Sequence, residues 1–425
     1  MNRLYMILLS AIALSCASPE KPITNPDDYS QYLNTSGENE KIKLAEEELT
    51  FWSDKFSESP NQYAYLSKMA AANNLLFDIT GDIKYLNNAR QNLQMAVDKT
   101  GESSAPLYRA LAKTYITHHQ FREANDCLIK ADSLGEGHEA TQKMLFDVKM
   151  ELGEYDEAKR LLKSFQSEDD FHYLIRYSKW LDYQGNTEAA VAQLELAKAK
   201  AELMKNEGLR LWIYSNLGDF YGHIGKIEKS YEHYLKTLEI DPHYHYALKG
   251  IAWINFSHEK NTAEASRILA ALEQAHPVPD YLLLRSEIAD FNGDIEQKED
   301  LEKTFIQLAS NPAYGDMYNA YLVSLMETNP AKALELAHRE VINRPTPQSY
   351  QLLASAYLLN DQKEKALNVA EKEVLEKTYE PKSLLAVAEI YAANGKTAKV
   401  AELKKELMNA AYELGPVVVR RVNQF

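Results

Sequence analysis

Cysteine is nearly absent from this sequence of 425 residues, which contains only Cys16 and Cys127. Two cysteines cannot form a disulfide framework, so the fold must be stabilised by packing. Cys127 falls at a helical position that is expected to be buried, where a cysteine acts as a small core residue. Glycine and proline are also scarce, with 16 and 14 residues, whereas tyrosine is abundant with 27. This balance favours helices over a loop-rich or β-rich fold.

Basic residues are outnumbered, because 47 Lys and Arg stand against 62 Asp and Glu, for a net charge of −15. A nucleic-acid-binding protein carries a basic patch or stripe that attracts the phosphate backbone. The charge balance therefore disfavours a nucleic-acid partner. An acidic surface of this kind mainly provides solubility.

Catalytic and cofactor-binding motifs are missing as well. The chain has no Gly-x-Ser-x-Gly nucleophile turn, no phosphate-binding loop ending in Gly-Lys-Ser/Thr and no cysteine pair with metal-ligand spacing. His138 and His258 are each followed by Glu, but neither has the second histidine of a zinc-protease helix. The remaining grouped histidines are interpreted as exposed loop residues rather than metal ligands: His118 with His119, and His243 with His245. The sequence therefore predicts a protein that is not an enzyme and that holds no cofactor or metal.

Residues 1–16 have the features of an export signal rather than of a folded segment. A positive charge at Arg3 precedes a mostly apolar run over residues 4–14, which is too short to span a membrane. Cys16 directly follows Ala-Leu-Ser, and this sequence resembles the lipobox of bacterial lipoproteins, whose cysteine is lipidated and becomes the mature N-terminus. The residues Ala13 and Ser15 would also suit ordinary signal cleavage, so a soluble exported protein is the alternative.

The resemblance to bacterial lipoproteins implies a location in a bacterial cell envelope. The protein would be lipid-anchored to a membrane, with the outer membrane favoured, or would be periplasmic if the signal is cleaved in the ordinary way. Residues 17–39 are polar throughout and are predicted to be a flexible tether between the anchor and the folded body. Residues 40–60 are predicted to form an amphipathic opening helix, with this apolar stripe: Ile42, Ala45, Leu49, Trp52 and Phe56.

The stretch 214–242 has the pattern of two short helices joined by a turn. Apolar residues at offsets of three, four and seven form one face of a helix. A glycine ends the first helix and a proline stops the second. Bulky, small and turn residues follow one another in a defined order: Tyr214, Leu217, Gly218, Tyr221, Gly225, Ser230, Tyr234 and Pro242. This stretch resembles a tetratricopeptide repeat, with Ser230 where alanine is usual.

The same pattern recurs at the tetratricopeptide period of about 34 residues. Prolines that close successive units are separated by 35, 35, 33 and 36 residues: Pro242, Pro277, Pro312, Pro345 and Pro381. About ten units cover residues 61–415, and the apolar tail 416–425 is expected to pack against the last helix and cap the stack. The resemblance implies an all-α, right-handed α-solenoid of about ten tetratricopeptide-like helix pairs, with a concave groove lined by the first helices.

The resemblance also implies which positions face the groove, because these are offset from the Leu-Gly pair of each unit. The groove positions are Arg109, Lys113, Lys143, Arg176, Lys179, Trp212, Asn216, Asp219, His223, Tyr246, Lys249, Trp253, Phe256 and Tyr318. The N-terminal half of the groove would be basic and its middle aromatic, which suits an extended peptide with acidic and apolar side chains. The alternative is that Trp212, Trp253 and Phe256 fill the core between repeats.

The function expected from these features is a scaffold for protein–protein interaction. Its partner would be another protein or a peptide segment bound in the groove, and its contact with a membrane would be through an N-terminal lipid only. The alternative is a glycan- or nutrient-binding outer-membrane lipoprotein on a tetratricopeptide scaffold. Such proteins carry long loops with aromatic residues, whereas this chain offers only short turns between its helical patterns.

Overall fold

The computed structural model of the protein describes residues 22–33 and 39–425, and over these ranges it contains helices and no strand. Residues 1–16, with Cys16, lie outside the described residues. Helices α1 (Pro26–Leu33) and α2 (Glu40–Glu58) precede ten consecutive helix pairs, here called units 1 to 10. The predicted all-α solenoid of about ten helix pairs is therefore confirmed.

Each unit consists of a first helix and a second helix. Units 1 to 5 are α3 (Tyr63–Thr80) with α4 (Ile83–Lys99), α5 (Ala105–Thr117) with α6 (Phe121–Leu134), α7 (His138–Glu151) with α8 (Tyr155–Ser164), α9 (Phe171–Tyr183) with α10 (Thr187–Met204), and α11 (Glu207–His223) with α12 (Ile227–Ile240). Units 6 to 10 are α13 (His245–Trp253) with α14 (Thr262–Ala275), α15 (Asp280–Asn292) with α16 (Ile295–Ala309), α17 (Asn319–Leu325) with α18 (Pro330–Asn343), α19 (Pro347–Leu359) with α20 (Lys363–Val369), and α21 (Pro381–Ala393) with α22 (Thr397–Asn409). The last helix is α23 (Ala411–Asn423).

Two helices are extended by π-helical turns, Ile254–His258 after α13 and Ala370–Val374 after α20. A π-turn adds one residue to a helix without changing its ends. In every unit except unit 8, the turn has a residue in the left-handed conformation, which is glycine in most of these units and has φ 71° at Gly225. Trp212 precedes Gly225 by thirteen residues, whereas Tyr246 precedes the corresponding Lys260 by fourteen. The π-turn therefore accounts for the shifted repeat pattern after residue 242.

The units pack through side chains that enter gaps left by glycine. Tyr234 of α12 is 3 % exposed, and its ring lies against Gly218 of α11 and Gly250 of α13. Its hydroxyl donates a hydrogen bond to Asp219 Oδ1 at 2.6 Å. The Gly of the Leu-Gly pair is thus required by the close approach of an aromatic ring from the second helix.

The second half of the solenoid stacks on the first. The turn inside a unit of the first half faces the connection that follows the unit five places later. The closest approaches that define this stacking are those of Gly81 with Val278, His118 with Gly315, Gly153 with Pro345, and Gly185 with Tyr379. Hydrogen bonds cross the same boundary, including Asn343 Nδ2 to the His119 carbonyl oxygen at 3.0 Å.

The segment before the repeats differs from the flexible tether expected over residues 17–39. Residues 22–33 are folded, and α1 packs against the second helices α12 and α14. Thr24 is bonded to Glu259 through its amide (2.7 Å) and through its hydroxyl (2.8 Å). Tyr29 is fully buried and donates a hydrogen bond to Glu264. The free energy gained by burying this ring compensates the entropic cost of ordering an otherwise polar segment. The composition of the segment alone does not reveal this burial.

The C-terminal tail also differs from its prediction. The helix expected to run from 397 to Leu414 ends at Asn409, and α23 begins at Ala411 and continues through Gly415, where φ is 78° and ψ is 164°. Leu414 and Val422 are buried, so the tail is an amphipathic helix rather than a simple cap. Instead of ending the stack, α23 turns back and contacts the first helices of units 5, 6, 7 and 10.

Candidate functional site

The first helices of the units enclose the concave face of the solenoid, because α23 lies among them whereas α1 lies on second helices. Over units 5 to 7 this face is covered by α23. The ring of Tyr412 lies on Gly222, and Ser257 Oγ donates a hydrogen bond to the Tyr412 carbonyl oxygen at 2.5 Å. Trp253 packs against Gly415. The covered residues lie near the C-terminal ends of α11 and of the first helix of unit 6, whereas Trp212 and Tyr246, which lie nearer the N-terminal ends of these helices, stay exposed.

Part of the predicted basic region of the groove is paired with acidic residues of neighbouring units. Arg176 Nη2 is 2.6 Å from Asp147 Oδ2, and Lys143 Nζ is 2.5 Å from Asp170 Oδ2. Arg109 donates to the Glu136 carbonyl oxygen at 2.6 Å. These interactions join consecutive units. Arg176 and Lys143 are therefore paired with carboxylates, whereas Arg109 has no carboxylate partner among the described residues.

A network around Glu151 continues this pattern across the two halves. Lys179 Nζ lies 3.0 Å from Glu151 Oε1, and Arg344 Nη2 lies 2.5 Å from Glu151 Oε2. Burial by itself would raise the pKa of Glu151, but the two cations outweigh it and hold this pKa at about 2. Lys113 is exposed and makes no ion pair among the described residues. Burial raises the pKa of Asp78, and the charge of Lys113 partly opposes this effect.

The open part of the concave face carries exposed aromatic side chains at one repeated position. Trp212 and Tyr246 lie in the N-terminal parts of the first helices of units 5 and 6, and they are 37 % and 52 % exposed. The exposed His172 occupies the same position in unit 4, thirteen residues before Gly185. We call His172, Trp212 and Tyr246 the aromatic row. It combines large apolar area with polar edges, a composition that is enriched in protein interfaces.

Polar groups adjoin the aromatic row. Asp219 accepts hydrogen bonds from Tyr246 Oη at 2.8 Å and from Tyr234 Oη at 2.6 Å. Burial raises the pKa of Asp219, while these two hydrogen bonds act in the opposite direction. Asn216 donates to the Trp212 carbonyl oxygen at 2.8 Å, which leaves its amide oxygen available. Lys249 Nζ lies 3.9 Å from Asp280 Oδ1. The structure thus brings these predicted residues together.

Two predicted groove residues lie in the core instead. Phe256 is 0 % exposed and packs edge-on against Phe291, because it falls within the π-turn, after the extra residue. Tyr318 is 6 % exposed, and its hydroxyl donates to Asp280 Oδ2 at 2.8 Å. Their assignment to the groove is wrong. Trp253 is half-buried under α23, so it lines a part of the concave face that the chain itself fills.

From the sequence we do not predict that α23 docks on the concave face, although the sequence carries a signal for an amphipathic helix there. Leu414, Val418 and Val422 recur every four residues, which is the period of one helical face. The tail therefore has helical amphipathicity despite Gly415 and Pro416. Its docking partners, Gly222 and Ser257, have no sequence signal, because they belong to units about 155 to 190 residues away.

A cleft separates the stacked halves near units 3, 4 and 9. One cavity of about 530 Å³ is lined by the tyrosines 155, 183, 350 and 379 together with prolines 345 and 347. A second cavity of about 250 Å³ shares Tyr183 and Tyr379 with the first and is lined by several carboxylates. We call the two cavities together the inter-turn cleft. Apart from His223, no predicted groove residue lines it.

The grouped histidines are not exposed as expected. His118 is 2 % exposed at the boundary between the halves, and the ring of His245 stacks on that of His276 with centroids 4.7 Å apart. Burial is the main cause that lowers the pKa of His118 to about 4, followed by the charge of Arg90. Burial and the neighbouring His276 lower the pKa of His245 to about 4. Both rings are therefore held neutral in the folded protein.

The free energy of unfolding of the protein should fall as the pH is lowered from 6.5 to 4. The folded-state pKa of His118 lies below its unfolded value, so the unfolded chain takes up the proton first as the pH falls. The contribution of neutral His118 to the free energy of unfolding is complete above pH 6.5, and it declines by about 1.4 kcal/mol for each pH unit below that value. Urea unfolding at pH 7 and pH 5 measures the decline, which His118→Asn should reduce by about 2 kcal/mol. Equal pH slopes in wild type and His118→Asn would contradict this, and His338→Asn, at an exposed position, serves as the control.

Within the described part of the chain, no helix has both the length and the apolar character needed to cross a lipid bilayer. Nor do any three histidine, cysteine, aspartate or glutamate side chains in residues 22–33 and 39–425 come together as metal ligands.

Comparison with known proteins bears on the repeat pattern. Residues 213–244 match the sequence model of the tetratricopeptide repeat. This chain contains a tetratricopeptide repeat. The matched residues span most of unit 5 and include the buried Tyr234 and the left-handed Gly225. The remaining units repeat the same helix–turn–helix geometry.

Two solved structures are similar to this chain. YrrB, described as a TPR protein with an unusual peptide-binding site, is 21 % identical, with a TM-score of 0.28, over 46 % of this chain and 95 % of YrrB. Yeast Tom70 is 12 % identical, with a TM-score of 0.36, over 88 % of this chain and 97 % of its own. Scores this low carry no information about ligands. No curated protein sequence matches the chain.

Proposed function

We propose that this protein is an exported, lipid-anchored scaffold of a bacterial cell envelope that binds a segment of another protein on its concave face. The tetratricopeptide solenoid is a scaffold suited to protein–protein interaction, since stacked repeats form an extended concave surface. The observation that carries the proposal is the aromatic row. It leaves Trp212 and Tyr246 substantially exposed at equivalent positions of adjacent units.

The chemistry of the row defines the partner segment. Buried aromatic side chains supply most of the energy of protein interfaces, and tyrosine and tryptophan do so at low entropic cost. Arg176 and Lys143 are already paired with carboxylates, so they contribute shape rather than free charge. The bound segment is therefore apolar, with backbone or side-chain groups that hydrogen-bond to Asn216 and Asp219.

The lipobox-like sequence before Cys16 supports lipid anchoring. The docking of α1 on the solenoid limits how far a lipid on Cys16 could lie from the folded body. Six residue steps separate Cys16 from Pro22, which is the first described residue. A fully extended chain of this length reaches about 20 Å. A lipid on Cys16 would therefore hold the solenoid within about 20 Å of the membrane, next to α12 and α14.

The proposal is one of binding rather than catalysis, since no reactive constellation adjoins the aromatic row. The glycan- or nutrient-binding alternative requires long loops that carry aromatic residues. Across residues 39–425 the longest connection between α-helices comprises residues 310–318, and part of it is a short 3-10 turn. Short connections of this kind do not supply such loops.

The double substitution Trp212→Ala with Tyr246→Ala should reduce capture of the protein partner at least about tenfold, because it removes two exposed aromatic anchors. The measurement is affinity capture of the tagged protein from membranes of its own cells, with quantification of what co-purifies. Helicity should be unchanged, since both side chains are partly exposed and neither lies in the buried core.

Leu203→Ala is the matched control, because Leu203 is 81 % exposed on a second helix. A partner captured equally by wild type and by the double variant would disprove the role of the aromatic row. In the same cells, Cys16→Ser should move the protein from the membrane to the soluble fraction. Retention of Cys16→Ser on membranes would exclude the lipid anchor without affecting the partner result.

A further inference from the structure

The larger cavity of the inter-turn cleft is lined by four tyrosines whose hydroxyls are unpartnered. The hydroxyl groups of Tyr155, Tyr183, Tyr350 and Tyr379 form no hydrogen bond with any described residue. Six tyrosines elsewhere in the protein differ from these four, because their hydroxyls are bonded to carboxylates: Tyr29, Tyr214, Tyr221, Tyr234, Tyr246 and Tyr318. The cavity thus presents hydrogen-bonding groups that the protein itself does not use.

The walls of this cavity are rigid. The rings of Tyr155 and Tyr183 stack with centroids 4.1 Å apart and planes inclined by 23°. Tyr379 lies on Gly185, whose left-handed conformation and lack of a side chain allow the contact. Pro345 and Pro347 also line the cavity, and the remaining lining residues are Gly153, Gln184, Glu373, Glu376 and Lys377. A volume of about 530 Å³ is within the range of small-ligand and peptide-segment sites, and these side chains lose little entropy on binding.

The smaller cavity lies beside the larger one and is acidic. Asp182, Glu380, Glu406 and Glu413 line it, and no lysine or arginine does. Glu380, Glu406 and Glu413 form no ion pair within the described residues. Burial raises the pKa of Asp182 and of Glu380, and in Glu380 the charges of Glu413 and Asp182 add to the effect. The crowded carboxylates would be stabilised by an incoming cation.

We infer that the inter-turn cleft binds an extended, proline-containing peptide segment that carries a lysine or arginine next to the proline. Such a segment adopts a polyproline II conformation, which has no internal hydrogen bonds and exposes its backbone carbonyl oxygens. The free tyrosine hydroxyls donate to these oxygens, while the aromatic and proline walls contact the pyrrolidine rings. The basic side chain enters the acidic cavity on the other side of Tyr183 and Tyr379.

This site is separate from the aromatic row of the concave face, and it joins parts of the chain from both halves. Tyr155 and Tyr183 come from units 3 and 4, whereas Tyr350 belongs to unit 9 and Tyr379 to the connection that follows it. A bound segment would therefore also hold the two halves together. The inference does not depend on the identity of the groove partner or on lipid anchoring.

The test is fluorescence anisotropy of a labelled hexaproline–diarginine peptide titrated with the full-length protein. Saturable binding is expected. Replacing the prolines by glycine and serine, or the arginines by glutamates, should weaken binding at least about tenfold, because the first change removes preorganisation and the second introduces like-charge repulsion.

Substitutions in the protein test the cleft itself. The double substitution Tyr155→Phe with Tyr350→Phe should weaken binding of the hexaproline–diarginine peptide about fivefold, which is the equivalent of about one hydrogen bond. The double substitution Glu380→Gln with Glu413→Gln should weaken binding of the hexaproline–diarginine peptide about tenfold. It should leave binding of a hexaproline–diglutamine peptide unchanged.

Matched controls are Tyr63→Phe and Glu296→Gln, which alter exposed residues outside the cleft and should leave binding unchanged. The absence of saturable binding at about 1 mM protein would overturn the inference. Binding that persists undiminished in both cleft variants would also overturn it, since the peptide would then lie elsewhere. A response to maltoheptaose that is lost in Tyr155→Phe with Tyr350→Phe, without any peptide binding, would reassign the cleft to neutral glycans.

Discussion

Replacing Gly250 with alanine should destabilise the solenoid by about 2 kcal/mol or more, although alanine is the better helix former by about 1 kcal/mol. A methyl group at Gly250 would overlap the ring of Tyr234, and the same is true at Gly218. Tyr234 is 3 % exposed and is held by its hydrogen bond to Asp219, so the ring has no space into which to move. Steric overlap at the contact between units 5 and 6 therefore outweighs helix propensity.

The experiment is urea unfolding of Gly250→Ala and Gly218→Ala beside Gly208→Ala. Gly208 lies in the same helix as Gly218, and a methyl group there comes no closer than 3.5 Å to another group, Asn206 Oδ1. Gly208→Ala should be neutral or stabilising by up to about 1 kcal/mol. In a Tyr234→Ala background the cost of Gly250→Ala should disappear, because the ring is gone. A cost that persists without the ring would show that the Tyr234 contact is not its origin.

Replacing Tyr29 with alanine should release residues 22–33 from the body of the protein. Its ring is fully buried, lies edge-on to Tyr231 with centroids 6.4 Å apart, and is covered by the Arg267 guanidinium. Removing a large buried aromatic side chain costs about 3–5 kcal/mol. A helix of eight residues has little stability of its own, so this loss exceeds what holds α1 in place.

Hydrogen exchange measures this release, since the amides of α1 should be protected in the wild type and exchange freely in Tyr29→Ala. The amides of α12 and α14 should keep most of their protection. Gln31→Ala is the control on the same helix, because Gln31 is exposed. Continued protection of α1 in Tyr29→Ala would mean that the bonds of Thr24 and Asn25 suffice to hold the segment.

The concave face shows which parts of the site could be predicted. Trp212 and Tyr246, which the sequence assigns to the groove, are exposed, and their distance from the turn of each unit follows the repeat. Phe256 was assigned wrongly, because a π-turn adds one residue to the first helix of unit 6. A single inserted residue rotates the following side chains by about 100° around the helix axis. The repeat period in the sequence does not reveal where such a residue is accommodated.

The charged positions of the groove illustrate a different limit. The sequence shows Arg109, Lys143 and Arg176 at groove-facing positions, and the structure places them near that face. Their partners come from the following or preceding unit, as with Asp147 for Arg176. Charge patterning that is read one unit at a time therefore overestimates the free positive charge, because ion pairs form between units.

Local sequence patterns alone specify the helices, their turns and the number of repeats, because 3.6-residue periodicity and left-handed turn residues act over one or two helical turns. Only the tertiary structure decides that the second half stacks on the first, that α1 docks on α12 and α14, and that α23 fills the concave face. These contacts join residues that are 150 to 235 positions apart, such as Thr24 with Glu259 and Ser257 with Tyr412. Their formation depends on the curvature that accumulates over many units, and no single repeat encodes that curvature.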